Sequence, residues 1–333
     1  MCAKNNFVLF LLLALLLACK QPEVDTKVKR PVNIDDTNYV LDKNYKKGDV
    51  RRYGVYPNEK ISNKNLQNII SLSSKGLPMV FPKGDYATNL VLDSISILNF
   101  TFNNATITGG VNIVNNSFNI KLGGNLTILE RLFVKGSSDI VFDTLTVKTD
   151  TLKCLTTKKN RGVSLYAGAK NISFQLLNIE NTGGTKDKFY QHTAAALQVH
   201  GWKNNPENVF IKNLTIKNVD RTGLYLTGNG HRIEKVTINN FGQGSSENMF
   251  ALGDAFKGEE KEFSGAWLNR CNNCEIDTLI VNATNNKGNY SVILDEGKYY
   301  EPTFIYNIHF KNKAKALPIK DDKLTNILVK NEF

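Results

Sequence analysis

His200 and Arg221 are the two side chains whose types and spacing best fit an acid–base reaction in this chain of 333 residues. A histidine can accept a proton at neutral pH, and an arginine can neutralise a carboxylate beside which negative charge develops. β-Elimination in a uronic acid needs these two functions, a base for the C5 proton and a cation for the carboxylate. Asp220 directly precedes Arg221, and His192 lies upstream of His200, so both are further candidates for this chemistry.

A second set of side chains could hold a sugar chain. Aromatic rings stack on the apolar faces of sugar rings, while amide, imidazole and guanidinium groups bind hydroxyls or carboxylates. The candidates for these contacts are Tyr225, Trp267, Trp202, Gln198, Tyr166, Asn269, Arg270 and His192. The alternative is that long insertions cover these rings, which would then form a small apolar cluster.

Carboxylate and metal chemistry have weaker support. Hydrolysis of a glycosidic bond needs two carboxyl groups about 5–10 Å apart. Asp220, Asp254 and Asp295 are candidates, but no two of them form a local pair. The Cys271-Asn272-Asn273-Cys274 segment has the spacing of a metal site, yet a zinc site needs a second pair of ligands. The sequence therefore predicts no metal site.

A repeated apolar pattern predicts the scaffold that must position these side chains. Its clearest copy places apolar residues at Val209, Ile211, Leu214 and Ile216 and ends at Asn218. Nine copies recur along the chain, about 20 residues apart at their closest. A fixed period of this kind is typical of a solenoid, in which each unit is one turn of a parallel sheet and cannot bury a core alone.

Each repeat also has an upstream strand, such as Leu224-Tyr225-Leu226, whose middle residue points outward because side chains alternate along a strand. Stacking these strands predicts one outward row made of Asn112, Phe133, Ser164, Gln198, Tyr225, Trp267 and Ile293. The neighbouring row consists of Val114, Lys135, Tyr166, His200, Thr227, Asn269 and Asp295. Long insertions would wall this face into a groove; they are 149–161, 182–195 and 240–264.

The cysteines and the charge narrow the class of protein further. Cys274 falls at the frame position of Val209, which predicts a buried structural thiol, although a disulfide with Cys154 is open in an oxidising compartment. Lysine and arginine outnumber aspartate and glutamate 42 to 31, for a net charge of +11. This excess of positive charge favours an anionic partner. Nucleic acid is not expected as that partner if the protein lies outside the cytoplasm.

The N-terminal residues predict export and anchoring. Lys4 precedes an apolar run, Phe7–Ala18, which is too short to span a bilayer as a helix. The run ends in Leu16-Leu17-Ala18-Cys19, which resembles the lipobox of bacterial lipoproteins, in which the cysteine carries the lipid. Residues 1–18 are thus interpreted as a signal peptide and 19–38 as a polar tether. An ordinary cleaved signal peptide is the alternative.

The segment from Asp49 to Tyr86 carries a resemblance to a known superfamily. It contains Tyr53-Gly54, a helical pattern over Asn65–Lys75 with apolar Leu66, Ile69, Ile70 and Leu72, and then Pro82-Lys83-Gly84-Asp85-Tyr86. This order resembles the N-terminal cap of pectate-lyase-like proteins. The resemblance implies an all-β fold, a single-stranded right-handed parallel β-helix of about nine to ten coils with an N-terminal capping helix. The domain would span 39–333, with 39–86 as the cap.

These patterns together predict a lipid-anchored protein of the bacterial cell envelope that acts on an acidic polysaccharide. The leading hypothesis is a polysaccharide lyase in which Arg221 neutralises the carboxylate and His200 is the base, with Asp220 beside them. The alternatives are a non-catalytic glycan-binding or envelope-structural lipoprotein and a glycoside hydrolase. We expect a monomer and no cofactor. The resemblance would allow calcium, but the sequence lacks an aspartate cluster like the pectate lyase calcium site.

Overall fold

The structure, a computed structural model, confirms the predicted parallel β-helix. It describes residues 34–149, 160–182, 195–201, 203–219, 221–242, 263–282, 290–311, 318–321 and 324–333. Every strand pairing within these ranges is parallel, and strands pair mainly with the second strand before and after them in the chain. The chain therefore winds through two ladders, one of long strands and one of short strands.

The long strands form one ladder of stacked tiers. They are β1 (Met79–Phe81) and β2 (Gly84–Tyr86), which pair with the two halves of β4 (Leu98–Ile107), followed by β6 (Phe118–Ile128), β8 (Ser138–Lys148), β10 (Lys170–Glu180), β12 (Glu207–Lys217), β14 (Arg232–Asn239), β16 (Glu275–Asn282), β18 (Thr303–Lys311) and β20 (Ile327–Glu332). With β1 and β2 counted together, this ladder has ten tiers among the described residues, in agreement with the predicted coil number.

The short strands form the second ladder. They are β3 (Leu90–Asp93), β5 (Val111–Val114), β7 (Leu132–Lys135), β9 (Val163–Tyr166), β11 (Ala195–His200), β13 (Thr222–Asn229), β15 (Ser264–Asn272), β17 (Tyr290–Asp295) and β19 (Ile319–Asp321). Seven of these short strands, from β5 to β17, are the upstream strands that the sequence predicted, whereas β3 and β19 were not predicted.

The apolar repeat lines the interior. In β12 the buried positions are Val209 and Ile211, then Leu214 and Ile216, each at most 1% exposed. The change from odd to even positions means that the strand turns a corner between its two halves, since alternation would otherwise continue. Burying each such side chain stabilises the fold by about 1.5–3 kcal/mol. The repeat therefore consists of two pairs of inward residues, one on each side of a bend in the strand, and the bend accounts for the two-residue gap between the pairs.

Asparagines at the strand ends form ladders along the stacking direction. Asn208 Nδ2 donates to Asn171 Oδ1 at 3.1 Å, and Asn171 Nδ2 donates to Asp139 Oδ1 at 2.9 Å. All three residues have left-handed backbones, with φ of 53°, 52° and 56°, which asparagine and aspartate tolerate better than most residues. Hydrogen bonds from Ser138 and Asn171 lower the pKa of the Asp139 carboxyl. The ladder therefore ends on a charge-assisted acceptor.

The asparagine that ends the repeat belongs to a second ladder. Asn240 Nδ2 donates to Asn218 Oδ1 at 2.9 Å, and Asn218 Nδ2 donates to Asn181 Oδ1 at 3.4 Å. These residues also have left-handed φ values, of 55°, 53° and 54°. The preference for asparagine at this position thus has two causes, the turn conformation and the amide stacking.

A column of inward side chains turns polar in the later coils. The Val209 N–H donates to His231 Nδ1 at 3.1 Å, the His231 N–H to Cys274 Sγ at 3.4 Å, and the Cys274 N–H to Thr303 Oγ1 at 3.2 Å. Each of these buried backbone N–H donors thereby gains a side-chain acceptor in the next coil, as buried polar groups require. Cys274 occupies the predicted frame position and is buried, and Cys271 beside it is buried as well.

His231 is held neutral in this column. Its Nδ1 accepts from Val209, so its Nε2 carries the proton and donates to the Thr227 carbonyl at 3.0 Å. Burial lowers the pKa of His231 from 6.5 to about 4, because the core disfavours the charged imidazolium.

The cap is built around one amphipathic helix, α1 (Asn63–Ser74). Ser62 Oγ accepts the Asn65 N–H at 3.1 Å at its N-terminus, and Leu66, Ile69, Ile70 and Leu72 are buried as predicted. Ser73 Oγ also accepts the Asn99 N–H at 2.9 Å, which joins the helix to β4. No helix among the described residues is long and apolar enough to cross a membrane.

Residues 34–38, which the sequence assigned to the tether, pack against this cap. Ile34 is 8% exposed and Asp36 is 6% exposed. Asp36 Oδ2 accepts from Arg52 Nε and from the Tyr53 hydroxyl, both at 2.8 Å. Residues 34–38 are therefore part of the folded cap. The two donors in the cap satisfy the Asp36 carboxylate, which would otherwise be costly to bury. The signal peptide, Cys19 and most of the tether lie outside the described residues.

We expect the stability of the protein to fall as the pH decreases from 6.5 towards 4. The unfolded chain binds a proton at His231 in this range, whereas the folded chain does not, so folding loses about 2 kcal/mol between pH 7 and pH 5 from this group. Urea unfolding at both pH values measures the loss. His231→Gln should show a smaller pH dependence than the wild type, while His309→Gln should not; equal dependence in all three would refute this assignment.

We also expect Asn171→Ala to lower the free energy of unfolding by about 2 kcal/mol. The alanine loses both amide hydrogen bonds and strains the left-handed backbone. Asn171→Gly relieves the strain and should cost about half as much. Urea unfolding of the two variants compares them directly, and an equal loss would mean that backbone conformation contributes nothing here.

Candidate functional site

The first outward row predicted on the short strands is present in the structure. The register pairs Asn112 with Phe133, Phe133 with Ser164, Ser164 with Gln198, Gln198 with Tyr225, Tyr225 with Trp267 and Trp267 with Ile293. Alternation within each short strand is enough to place these residues, since their neighbours on both sides are buried.

The second predicted row is interrupted at Thr227. A register shift between Leu226 and Gly228 marks a bulge, and Thr227 is only 3% exposed. Its Oγ1 lies 3.2 Å from the Val199 carbonyl oxygen and 3.1 Å from Asn205 Oδ1, so the side chain is occupied away from the row. The extra residue lies in β15, where Asn269 and Arg270 stand opposite the single residue Thr227, and Arg270 has a left-handed φ of 51°. The prediction for Thr227 was therefore wrong.

Five rings from the two rows form a continuous aromatic strip across five consecutive tiers. The strip consists of Phe133, Tyr166, His200, Tyr225 and Trp267. Successive ring centroids are 6.2, 6.2, 5.4 and 4.9 Å apart along this order. These separations fall within the range of favourable aromatic pairs, so the rings support one another.

Hydrogen bonds fix the orientation of the rings at the β15 end of the strip. Trp267 Nε1 donates to Asp295 Oδ2 at 3.2 Å, and Asn269 Nδ2 donates to the Tyr225 hydroxyl at 3.2 Å. Asn269 Oδ1 is buried and has no hydrogen-bond partner within the described ranges. The amide therefore keeps an unused acceptor beside the strip.

The strip is recessed rather than fully open. Tyr225 and Gln198 are each 9% exposed, and burial raises the pKa of Tyr225. Tyr166, His200 and Trp267 are half-buried. Phe133 is half-buried too, so the strip is nearly buried at Tyr225 while the other four rings keep exposed surface for a ligand.

His200 lies in the middle of the strip between Tyr166 and Tyr225. Burial lowers the pKa of His200, and the positive charge of Arg270 lowers it further. A neutral imidazole at pH 7 can accept a proton. Arg270 is itself exposed, and its Nε donates to Glu296 Oε2 at 2.8 Å. A pocket of about 290 Å³ opens at this ion pair, with Tyr299 and Tyr300 in its wall.

The structure does not place Arg221 at the surface of the groove. Arg221 is 4% exposed, and its carbonyl accepts the Gly242 N–H at 2.9 Å. The guanidinium is therefore not presented to a ligand on the exposed part of the strip. The other predicted residues Asp220, Trp202 and His192 lie outside the described residues, as do Asp254 and Cys154.

Arg131 is a residue of this face that the sequence analysis missed. Its guanidinium carbon lies 4.4 Å from the centroid of the Phe133 ring, at the β7 end of the strip. Burial lowers the pKa of Arg131 to about 10, and the charge of Arg161 contributes to the shift. The sequence could have indicated Arg131, because it lies two residues before Phe133 and the strand alternation therefore directs both side chains outward.

No cluster of three or more His, Cys, Asp or Glu side chains that could hold a metal ion occurs in the part of the chain that the structure describes. Comparisons with protein-family models, with curated proteins and with solved structures find no match to this chain.

Proposed function

We propose that this protein binds an acidic polysaccharide along the aromatic strip. The observation that carries this proposal is the continuity of the strip from Phe133 to Trp267, with no ring centroid more than 6.2 Å from the next. Rings held on stacked strands are already ordered, so a ligand does not have to immobilise them on binding.

A long, linear ligand fits this arrangement better than a compact one. Parallel strands are about 4.8 Å apart, so a strip across five tiers extends about 19 Å. A regular row of half-buried rings offers repeated contacts of one kind, as a chain of similar units requires. The Gln198 and Asn269 side chains lie on the same face and supply amide groups for hydroxyl recognition.

The charge of the protein supports an acidic ligand. The net charge is +11, and cations lie at both ends of the strip, Arg131 at one and Arg270 at the other. The proposal extends to the N-terminal region: Cys19 would carry a lipid and hold the protein in the bacterial cell envelope, with the polysaccharide there as its partner.

We expect Tyr166→Leu to weaken polysaccharide binding about tenfold, because it removes the ring that joins Phe133 to His200. Tyr306→Leu is the matched control, since Tyr306 is also half-buried and stacks on Phe304 at 5.9 Å on the other ladder. Affinity electrophoresis in gels that contain polygalacturonate, alginate, hyaluronan or chondroitin sulfate measures both. Retention of both variants equal to that of the wild type would contradict the proposal.

Lyase activity is the second candidate function, and the state of His200 favours it. The lowered pKa leaves a neutral base in the middle of the strip, and Arg270 is a cation close enough to affect it. In such a reaction His200 would take the C5 proton of a uronic acid, a C4–C5 double bond would form as the C4–O bond breaks, and the leaving oxygen would take a proton from water. Arg221, the sequence-based candidate for neutralising the carboxylate, would have to become accessible first because it is buried.

Incubation of residues 20–333 with the same four polysaccharides tests this second function. A lyase would produce the ultraviolet absorbance of unsaturated uronates, and His200→Ala should abolish it while Tyr306→Leu retains it. Reducing ends without this absorbance would instead indicate hydrolysis. Binding without either product would leave the glycan-binding function alone.

A further inference from the structure

Four arginines of the described chain form ion pairs with carboxylates, and Arg131 does not. Arg51 pairs with Asp49 at 2.7 Å, Arg52 with Asp36 at 2.8 Å, and Arg232 with Glu275 at 3.6 Å and Asp277 at 3.8 Å. Arg270 pairs with Glu296. Within the described ranges Arg131 pairs with no carboxylate, and its contact is with the face of Phe133.

The surroundings of Arg131 make an unpaired charge costly. The side chain is half-buried, and the causes that lower its pKa to about 10 are burial and the charge of Arg161, with no carboxylate among them. The guanidinium nevertheless stays charged at pH 7, because this pKa is well above that pH. A partly desolvated cation without a carboxylate partner destabilises the fold unless an anion joins it.

The position of this charge relates it to the aromatic strip. Arg131 directly precedes β7, two residues before Phe133, and Lys135 follows Phe133 on the outward side of the strand and is exposed. Phe133 supports the guanidinium from one face, at 4.4 Å, and so limits its rotamers. The donors around the guanidinium edge keep their direction, and a planar fork of this kind matches the oxygens of a carboxylate or sulfate.

We propose that Arg131 forms an anion subsite at the β7 end of the strip, which binds a carboxylate or sulfate group of the ligand. This inference rests on the proposed function for the nature of the ligand. It adds that recognition of the acid group takes place at one end of the strip, while the rings hold the uncharged parts of the sugar units.

Arg131→Gln tests the subsite, with Arg232→Gln as the control of equal charge change. Arg232 is exposed and already has two carboxylates within 3.8 Å, so an added anion has little reason to bind there. Without ligand, Arg131→Gln should unfold at the same temperature as the wild type or a higher one, because it removes an uncompensated cation. This readout excludes a folding defect as the cause of lost binding.

Inorganic sulfate is the first probe, because it needs no polysaccharide. Sodium sulfate at low millimolar concentration, compared with sodium chloride at the same ionic strength, should raise the unfolding midpoint of the wild type and Arg232→Gln more than that of Arg131→Gln. An equal shift in all three proteins, or no shift in the wild type, would overturn the subsite.

Polygalacturonate and its fully methyl-esterified form are the second pair of probes. Arg131→Gln should bind polygalacturonate about tenfold more weakly than Arg232→Gln does, and the two variants should bind the ester equally. Equal binding of polygalacturonate by the two variants, with Tyr166→Leu defective, would overturn the subsite and leave the proposed function intact. If no protein binds either polysaccharide, the proposed function fails for this glycan, and the sulfate result alone decides the subsite.

Discussion

The parallel register between successive coils is the constraint on which the rest of this structure depends. Each residue lies about 4.8 Å from its counterpart in the next coil, so a position must accept a similar residue above and below it. Apolar residues meet this demand inside, and asparagines meet it at the turns, where Asn208, Asn171 and Asp139 bind one another in a row. The aromatic strip is the outward form of the same constraint. Two contacts of the strip, Tyr166 with His200 and Tyr225 with Trp267, join paired positions, and its other two contacts cross between the rows.

The inward column from Val209 to Thr303 shows how the register responds when the chain departs from the apolar rule. His231, Cys274 and Thr303 each accept a backbone N–H from the coil before. A polar residue at this inward position in one coil is thus followed by a polar or sulfur-containing residue in the next. The neutral state of His231 follows, because one ring nitrogen must accept and the other donates to Thr227. The bulge at Asn269 and Arg270 lies opposite Thr227, whose carbonyl accepts from His231. Thr227 thus connects the hydrogen bonds of the inward column with the irregular pairing of β13 and β15 beside the aromatic strip.

The parts of the fold and site that could be predicted are those that follow from periodicity. The pairs Gln198 with Tyr225 and Tyr225 with Trp267 follow from counting along strands, and the helix over Leu66 and Ile70 follows from its apolar face. The bulge opposite Thr227 could not be predicted, because the strand pattern does not show that β15 holds one more residue than β13 between their paired positions. Arg221 precedes β13, so its burial does not follow from the alternation within that strand. Arg131 was missed for a different reason: it directly precedes β7 and so lies outside the apolar pattern that marks the short strands.

The direction of the bonds between coils has a mechanical consequence. The backbone bonds and the asparagine amide bonds that join successive coils run along the stacking direction, and the chain leaves each coil only into the next one. A force applied between the two ends of the coil stack therefore acts on one coil interface at a time, so that the stack peels apart in steps rather than shearing along its whole length. Resistance to pulling is then set by the weakest terminal interface and not by the number of coils. A longer stack of this design would extend further under load without becoming stronger.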